Sequence, residues 1–523
     1  MSSYASIEDK ANIDVVSSNL KTLLNNPIAI TSLTLEEKTE LVSSLIFDLD
    51  ENGIQKKWND DVKLLALQAL KTLGRDAKGC DLLFSELGFK VLLYHATILP
   101  NTINAVDKPV SQEALTCIAN ALLLKESTRD LFDRYDGVLN VCQSLKDTTL
   151  SIKTQFLISR ILFLMTIKPS QTVVKLVDNF GIYDILYKSL CVHVSALSSR
   201  TPVTETSPIT KAMVLNEQLK FLFNVMINYP KVERDGRLNE IQNSSKFEKL
   251  LQPVIDVVLK IPPPSPLPLG PPHSHAIHAL LNFPVAPHKK IWFPPEKKSQ
   301  QYELLDQLLE ILKSMIFTAI QGDPDSNIDR NSKYGVDFDE VITPLVALLK
   351  KLAEEDELAK TMERNRLLPD DVDRSKPLEK GDSISARLIR LMTSVMLPNL
   401  KDSVSELFFV LCDQDANVFI HHVGYGNGAG FLMSRNIMIP STSSIYNSDK
   451  SINPITGQYF EDEPPSLSDM TDEEKEREAE KLFVLFERLK KTGVMNVVNP
   501  VEEAMRSGKL QEMNDENKDD ESD

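Results

Sequence analysis

Few residues in this chain have both the type and the spacing to do chemistry. Gly424, Gly426, Gly428 and Gly430 stand in "GYGNGAG", and Gly424 to Ala429 fits G-x-G-x-x-A. Such a run cradles a dinucleotide phosphate when a strand precedes it, a long helix follows, and an acid stands about twenty residues on. Here only "FLMSRN" follows before the chain turns rich in Pro, Ser and Asn, and there is no series of parallel strands. The run therefore reads as a tight inter-helix connection with positive φ and close backbone approach. His273, His275 and His278 have H-x-H-x-x-H spacing, but they follow seven prolines in residues 262–272. A metal needs a fourth ligand and a rigid frame, so these read as loop and helix-start histidines. No Ser/His/Asp or Cys/His arrangement and no GxxxxGK[ST] loop stands out. No catalytic residue, cofactor or metal is assigned, and the chain reads as a binding protein.

One basic pair remains. Lys71 and Arg75, in "LKTLGRD", are i,i+4 on a helix whose apolar residues include Leu65, Leu70 and Leu73. Two cations on one face raise the local potential and suit a carboxylate or a helix C-terminus. Spacing alone favours a solvated face.

The elements that position such residues are helices. Apolar residues recur at spacings of three and four, as in "SQEALTCIANALLLK", and "TQFLISRILFLM" (154–165) is apolar nearly all round. The "ALTCIANALL" helix begins at 114 and the "FLISRILFLM" helix at 156, an offset of 42. That lies within the roughly 40–47-residue period of armadillo and HEAT repeats, whose stacked helix pairs bury faces no single pair can bury. The expectation is an all-α armadillo/HEAT array over residues 1–438, broken by the proline loop 262–272 and a polar loop at 322–337. A polar linker follows at 439–470, then an amphipathic helix at 471–493 with Thr471 as N-cap, then an acidic tail at 494–523. Leu482, Phe483, Phe486 and Leu489 form that helix's apolar stripe.

The net charge of −17 disfavours a bulk grip on nucleic acid or anionic lipid and suits a partner with a basic face. Five cysteines without a CxxC, no apolar leader and no run of the roughly 18–20 apolar residues a membrane helix needs point to a reduced, cytoplasmic protein.

"LIRLMTSV", "ELFFVLC", "VGYGNGAGFLMSRNIM", "SINPITG" and "MTDEEKEREAEKLFVLFERLKKTGV" run in this order across about 385–494. Together they resemble the synembryn family, the non-receptor exchange factors and folding chaperones of heterotrimeric G-protein α subunits. "LKTLGRD", "LTCIANALL" and "LKFLFNV" extend the likeness more weakly toward the N-terminus. The resemblance implies a superhelix whose concave groove takes the C-terminal helix of Gα. GDP then leaves, and the nucleotide-free or nascent subunit is held until GTP binds. It implies Lys71, Arg75, Asn120, Phe223 and Asn224 in the groove, and a basic cluster at Arg387 and Arg390 that in relatives anchors a phosphorylated acidic segment. The stretch "IPSTSSIYNSDK" before "SINPITG" lacks the usual acidic kinase-site run, which puts that phosphorylation in doubt here. A monomer is expected, without nucleic acid or membrane insertion, drawn to the inner face of the plasma membrane through Gα. The competing function is an armadillo-type scaffold or transport adaptor for a basic peptide.

The tail stripe must dock on the array or on Gα. Truncation after Gly457 is expected to leave a folded array with much slower GDP release from Gα. Phe483→Asp with Phe486→Asp should mimic it, because burying two carboxylates in an apolar contact is prohibitive. Normal melting together with full-rate GDP release in the double variant would remove both roles.

Overall fold

The computed structural model describes residues 4–98, 106–198, 208–232, 240–319, 322–325, 334–438 and 458. All of these except Gln458 belong to one unit, residues 1–445 with 454–457; Gln458 belongs to a second, residues 446–453 with 458–523. The linker, the tail-helix stripe Leu482, Phe483, Phe486 and Leu489, and the acidic tail lie outside the described residues.

The described chain is helical and contains no strand. With helices numbered in chain order, seven form a central row: α4 (Asp60–Leu73), α6 (Pro109–Leu124), α9 (Ile152–Met165), α12 (Lys211–Val232), α14 (His273–Leu280), α17 (Phe338–Glu355) and α20 (Pro398–Leu411). Each packs on the one before and the one after. A second row covers them: α3 (Leu35–Leu49), α5 (Glu86–His95), α7 (Ser127–Arg134), α8 (Gly137–Ser144), α10 (Gln171–Asp178), α11 (Ile182–Ser198), α13 (Glu240–Lys260), α16 (Glu303–Ala319), α18 (Glu357–Leu367) and α19 (Ile384–Leu391). At the start, α1 (Ile13–Leu24) packs on α4, with the short α2 (Pro27–Thr31) beside it; α15 (Lys289–Trp292) is one turn between α14 and α16. The 42-residue offset noted in the sequence falls between α6 and α9, which are adjacent in the central row.

Local sequence sets the helix ends. Thr34 and Glu37 make a capping box at α3, Asn59 caps α4 and Ser151 caps α9. Helix α20 has no side-chain cap of its own. Asp339 of α17 supplies one from the neighbouring rung, accepting from Leu400 N at 2.7 Å and Asn399 Nδ2 at 2.8 Å. A carboxylate there satisfies orphan amides and meets the positive end of the helix dipole. Conversely, Asn224 and Asn228 of α12 donate to the last carbonyls of α9, Phe163 O at 3.3 Å and Thr166 O at 2.7 Å. Pro230 does not end α12; it sits inside its last turn.

The glycine run also differs from expectation. Only Gly424, at φ 80°, makes the connection, between α21 (Ala416–Val423) and α22 (Tyr425–Ser434); Gly426, Gly428 and Gly430 are helical. A Cβ on Gly428 would meet Ile420 Cδ1 and Phe419 Cε1 at 2.9 Å, so this glycine lets α22 lie against α21. Phe409 of α20, Phe419 and Phe431 then close a triangle of rings 5.6–5.7 Å apart. Cys80, Cys117, Cys142 and Cys412 are buried thiols, whereas Cys191 is exposed.

Glu363 of α18 is fully buried, and neither carboxyl oxygen has a hydrogen-bond partner among the described residues. Burial holds its pKa well above the ordinary 4.5. The folded state thus keeps a proton that the unfolded state releases. The stability tied to this group is full below pH 4.5 and is lost as pH rises toward the raised value, at most about 1.4 kcal/mol per pH unit. Glu363→Gln cannot ionise. Urea melts at pH 5 and pH 8 should show the variant gaining stability relative to the parent at the higher pH; a constant difference would mean Glu363 is not protonated in the fold.

Candidate functional site

Burial along the central row leaves one open stripe. Between Val110 and Leu122, α6 is open only at Gln112, Thr116 and Asn120. Between Thr154 and Met165, α9 is open only at Phe156, Arg160 and Phe163, with Lys153 one turn earlier on the same line. Helix α12 continues the pattern at Asn216, Lys220, Phe223, Asn224 and Ile227. Spacings of three and four keep each set on one helix face.

Charge on the stripe is organised across rungs. Glu113 of α6, its side chain 5% exposed, pairs with Lys71 of α4 and stands 4.0 Å from Lys153 of α9. Glu217 of α12, 6% exposed, takes Arg160 of α9 at 3.2 Å and pairs with Lys220 of its own helix. Farther along, Glu406 of α20 takes Lys350 of α17 at 2.8 Å and also pairs with Arg435. Each acid faces two cations, so each cluster carries one surplus positive charge in a chain of net charge −17.

Aromatic groups connect the clusters. Lys220 Nζ lies 4.7 Å from the Phe163 ring centroid, a cation–π contact, and Phe223 stands 5.9 Å from the ring of His278. The pKa of His275 is lowered to about 4 by burial, then by Lys220 and His278; burial also lowers that of His278. Both rings are neutral at pH 7. His273 is fully buried, and its Nε2 lies 3.1 Å from Ile261 O. At the far side of α14, Lys351 of α17 donates to Leu281 O and Phe283 O at 2.8 and 2.7 Å, tying the next rung on.

The residues singled out from sequence fall unevenly on this stripe. Lys71, Asn120, Phe223 and Asn224 lie along it. Arg75 is not one turn up the same helix as Lys71: α4 ends at Leu73, Gly74 caps it, and Arg75 stands exposed just beyond. Arg387 and Arg390 are on α19 in the second row. Arg390 donates to Glu379 O, Gly322 O and Gly381 O at 2.9, 2.6 and 2.8 Å, and Arg387 stacks 4.3 Å from the Phe317 ring centroid. Sequence reasoning missed Glu113, Lys153, Arg160, Phe163, Glu217 and Lys220. The signal was present as polar and aromatic interruptions at three- and four-residue spacing inside otherwise apolar helices.

The central row of a helical protein thus carries, along an open line, cations in excess of acids together with amides and aromatic rings. Residues 66–509 match the family model Ric8, described as guanine nucleotide exchange factor synembryn, and the chain belongs to this family. It is 24% identical over 490 residues to the chaperone Ric-8A of Danio rerio, covering 88% of this chain and 86% of that one. It is 24% identical over 508 residues to the chaperone Ric-8A of Gallus gallus, covering 90% of each. Among solved structures, an engineered protein aligns over 84% of this chain and 94% of its own at 14% identity and a TM-score of 0.41, too distant to refine the fold. The protein is a guanine nucleotide exchange factor and chaperone of G-protein α subunits, and it works by binding rather than by covalent chemistry. No helix among the described residues is long and apolar enough to cross a membrane.

Proposed function

We propose that the open stripe of the central row is where this protein holds its Gα partner, and that the two rows form an armadillo/HEAT-type superhelix with the stripe along its concave side. The occupant is the C-terminal helix of Gα, as the family resemblance implies. The observation that carries this reading is the repeated surplus of one cation per acid along the stripe. A helix C-terminus brings unpaired carbonyls, the negative end of its dipole and a terminal carboxylate, and all three suit Lys71, Lys153, Arg160 and Lys220. Phe156, Phe163 and Phe223 offer apolar contact between the charges. A basic peptide, the adaptor alternative, would meet the same surplus cations as repulsion.

Exchange then needs no nucleotide contact from this chain. Holding the Gα C-terminal helix away from its own core favours the nucleotide-free state through differential affinity for two Gα states, and GDP leaves. The same hold shields a nascent subunit. The protein acts as a monomer in the cytoplasm and reaches the inner face of the plasma membrane through Gα. The segment 471–493, expected from its sequence to be an amphipathic helix, completes the grip.

GDP release from purified Gα, with and without this protein, tests the function directly. Lys71→Glu with Arg75→Glu should weaken Gα binding by about 1–3 kcal/mol, because charge-assisted contacts become repulsions. Melting and helicity are measured alongside, because Lys71→Glu also sets a second carboxylate against the buried Glu113. Unchanged affinity in a folded double variant would move the binding face away from α4.

A further inference from the structure

Glu113 and Glu217 are a matched pair. Each sits on a central-row helix, more than nine-tenths buried, against a cation from the preceding helix and a second cation beside it. Glu217 Oε1 serves both Arg160 and Lys220, while Oε2 has no hydrogen-bond partner among the described residues. Acids this buried add nothing to surface solubility, and apolar core positions adjoin them at Ala114, Leu115 and Leu219. What they touch is the set of cations that the stripe presents outward. A carboxylate in that place does two things. It fixes the reach of the cations, and it cancels one of every two positive charges that an incoming anion would feel.

We propose that Glu113 and Glu217 are built-in counter-ions that compete with the partner's carboxylates and carbonyls for Lys71, Lys153, Arg160 and Lys220. This rests on reading the stripe as the Gα-binding face. While the partner is bound, its anionic groups share or take over these cations. When it leaves, the internal acids recapture them, which speeds release. The same competition rejects ligands that offer a negative charge at only one of the two clusters, a repulsive element against the wrong partner. The acids thus set how long nucleotide-free Gα is held.

Glu113→Gln and Glu217→Gln test this, because each keeps side-chain size and removes only the competing charge. Binding of GDP-stripped Gα is measured at 50 mM and 500 mM salt, with melting temperature and helicity as fold controls. Each variant should bind about 3–10-fold tighter than the parent at low salt, mainly through slower dissociation, and the gain should shrink toward unity at high salt as screening takes over. Lys71→Met added to Glu113→Gln should abolish the gain. A merely structural acid would instead lower the melting temperature and weaken binding at both salts. Folded variants that bind no tighter than the parent overturn the proposal, and so does loss of fold in both. Glu217→Gln decides alone if only Glu113→Gln fails to fold. A folded Lys71→Glu with Arg75→Glu variant that binds Gα like the parent overturns the reading of the stripe itself.

Discussion

Helices α6 and α9 have neighbours on every side but one, and that constraint fixes where polar chemistry can sit on them. Helix α6 shows solvent only Gln112, Thr116 and Asn120 between Val110 and Leu122. Charge placed elsewhere on it would be stranded in the core at a cost of several kcal/mol. The open stripe is therefore not a decoration on a finished fold. It is the remainder left when stacked helices bury the rest of α6 and α9, and the cations of these rungs collect there because they keep contact with solvent.

The spacing of the rungs must be held for such a stripe to recognise anything. Apolar contact supplies most of the cohesion but little register. Register comes from side chains that reach across to the ends of neighbouring helices. Asn224 and Asn228 take the last carbonyls of α9, Asp339 takes the first amides of α20, and Lys351 takes carbonyls just past α14. Each bond contributes only about 0.5–1.5 kcal/mol net, yet each fails if a helix slides by one turn. A face held in fixed register can prefer one state of a partner over another, which is all that catalysed exchange without nucleotide contact requires.

Much of this was legible in the sequence, because helical burial writes itself as three- and four-residue periodicity. The helical class, the adjacency of α6 and α9, and the placement of Lys71, Asn120, Phe223 and Asn224 follow from that pattern together with the family resemblance. Glu113 and Glu217 were not legible. On a helical wheel each looks like an ordinary surface acid; its burial depends on cations from helices tens of residues away, and one sequence carries no sign of that pairing. Arg75 misled for a local reason. Gly74 gave α4 a place to stop, so the i,i+4 relation to Lys71 holds in sequence and fails in space. The glycine run misled in the opposite sense: glycines normally interrupt helices, but here three sit inside one, and Gly428 among them gives a neighbouring helix the room it needs.

That last feature bears on how long the row can be. A stack of helix pairs has no intrinsic end, since each exposed edge resembles the one before it and invites another pair, or another molecule, to add on. Gly424 turns the chain back, Gly428 lets α22 settle against α21, and Phe409, Phe419 and Phe431 seal the join. The edge of the row at α20 is thereby covered by the last described helices, α21 and α22. Gly424 and Gly428, set in a run that looks like a nucleotide cradle, serve instead to fold α21 and α22 tightly against one another.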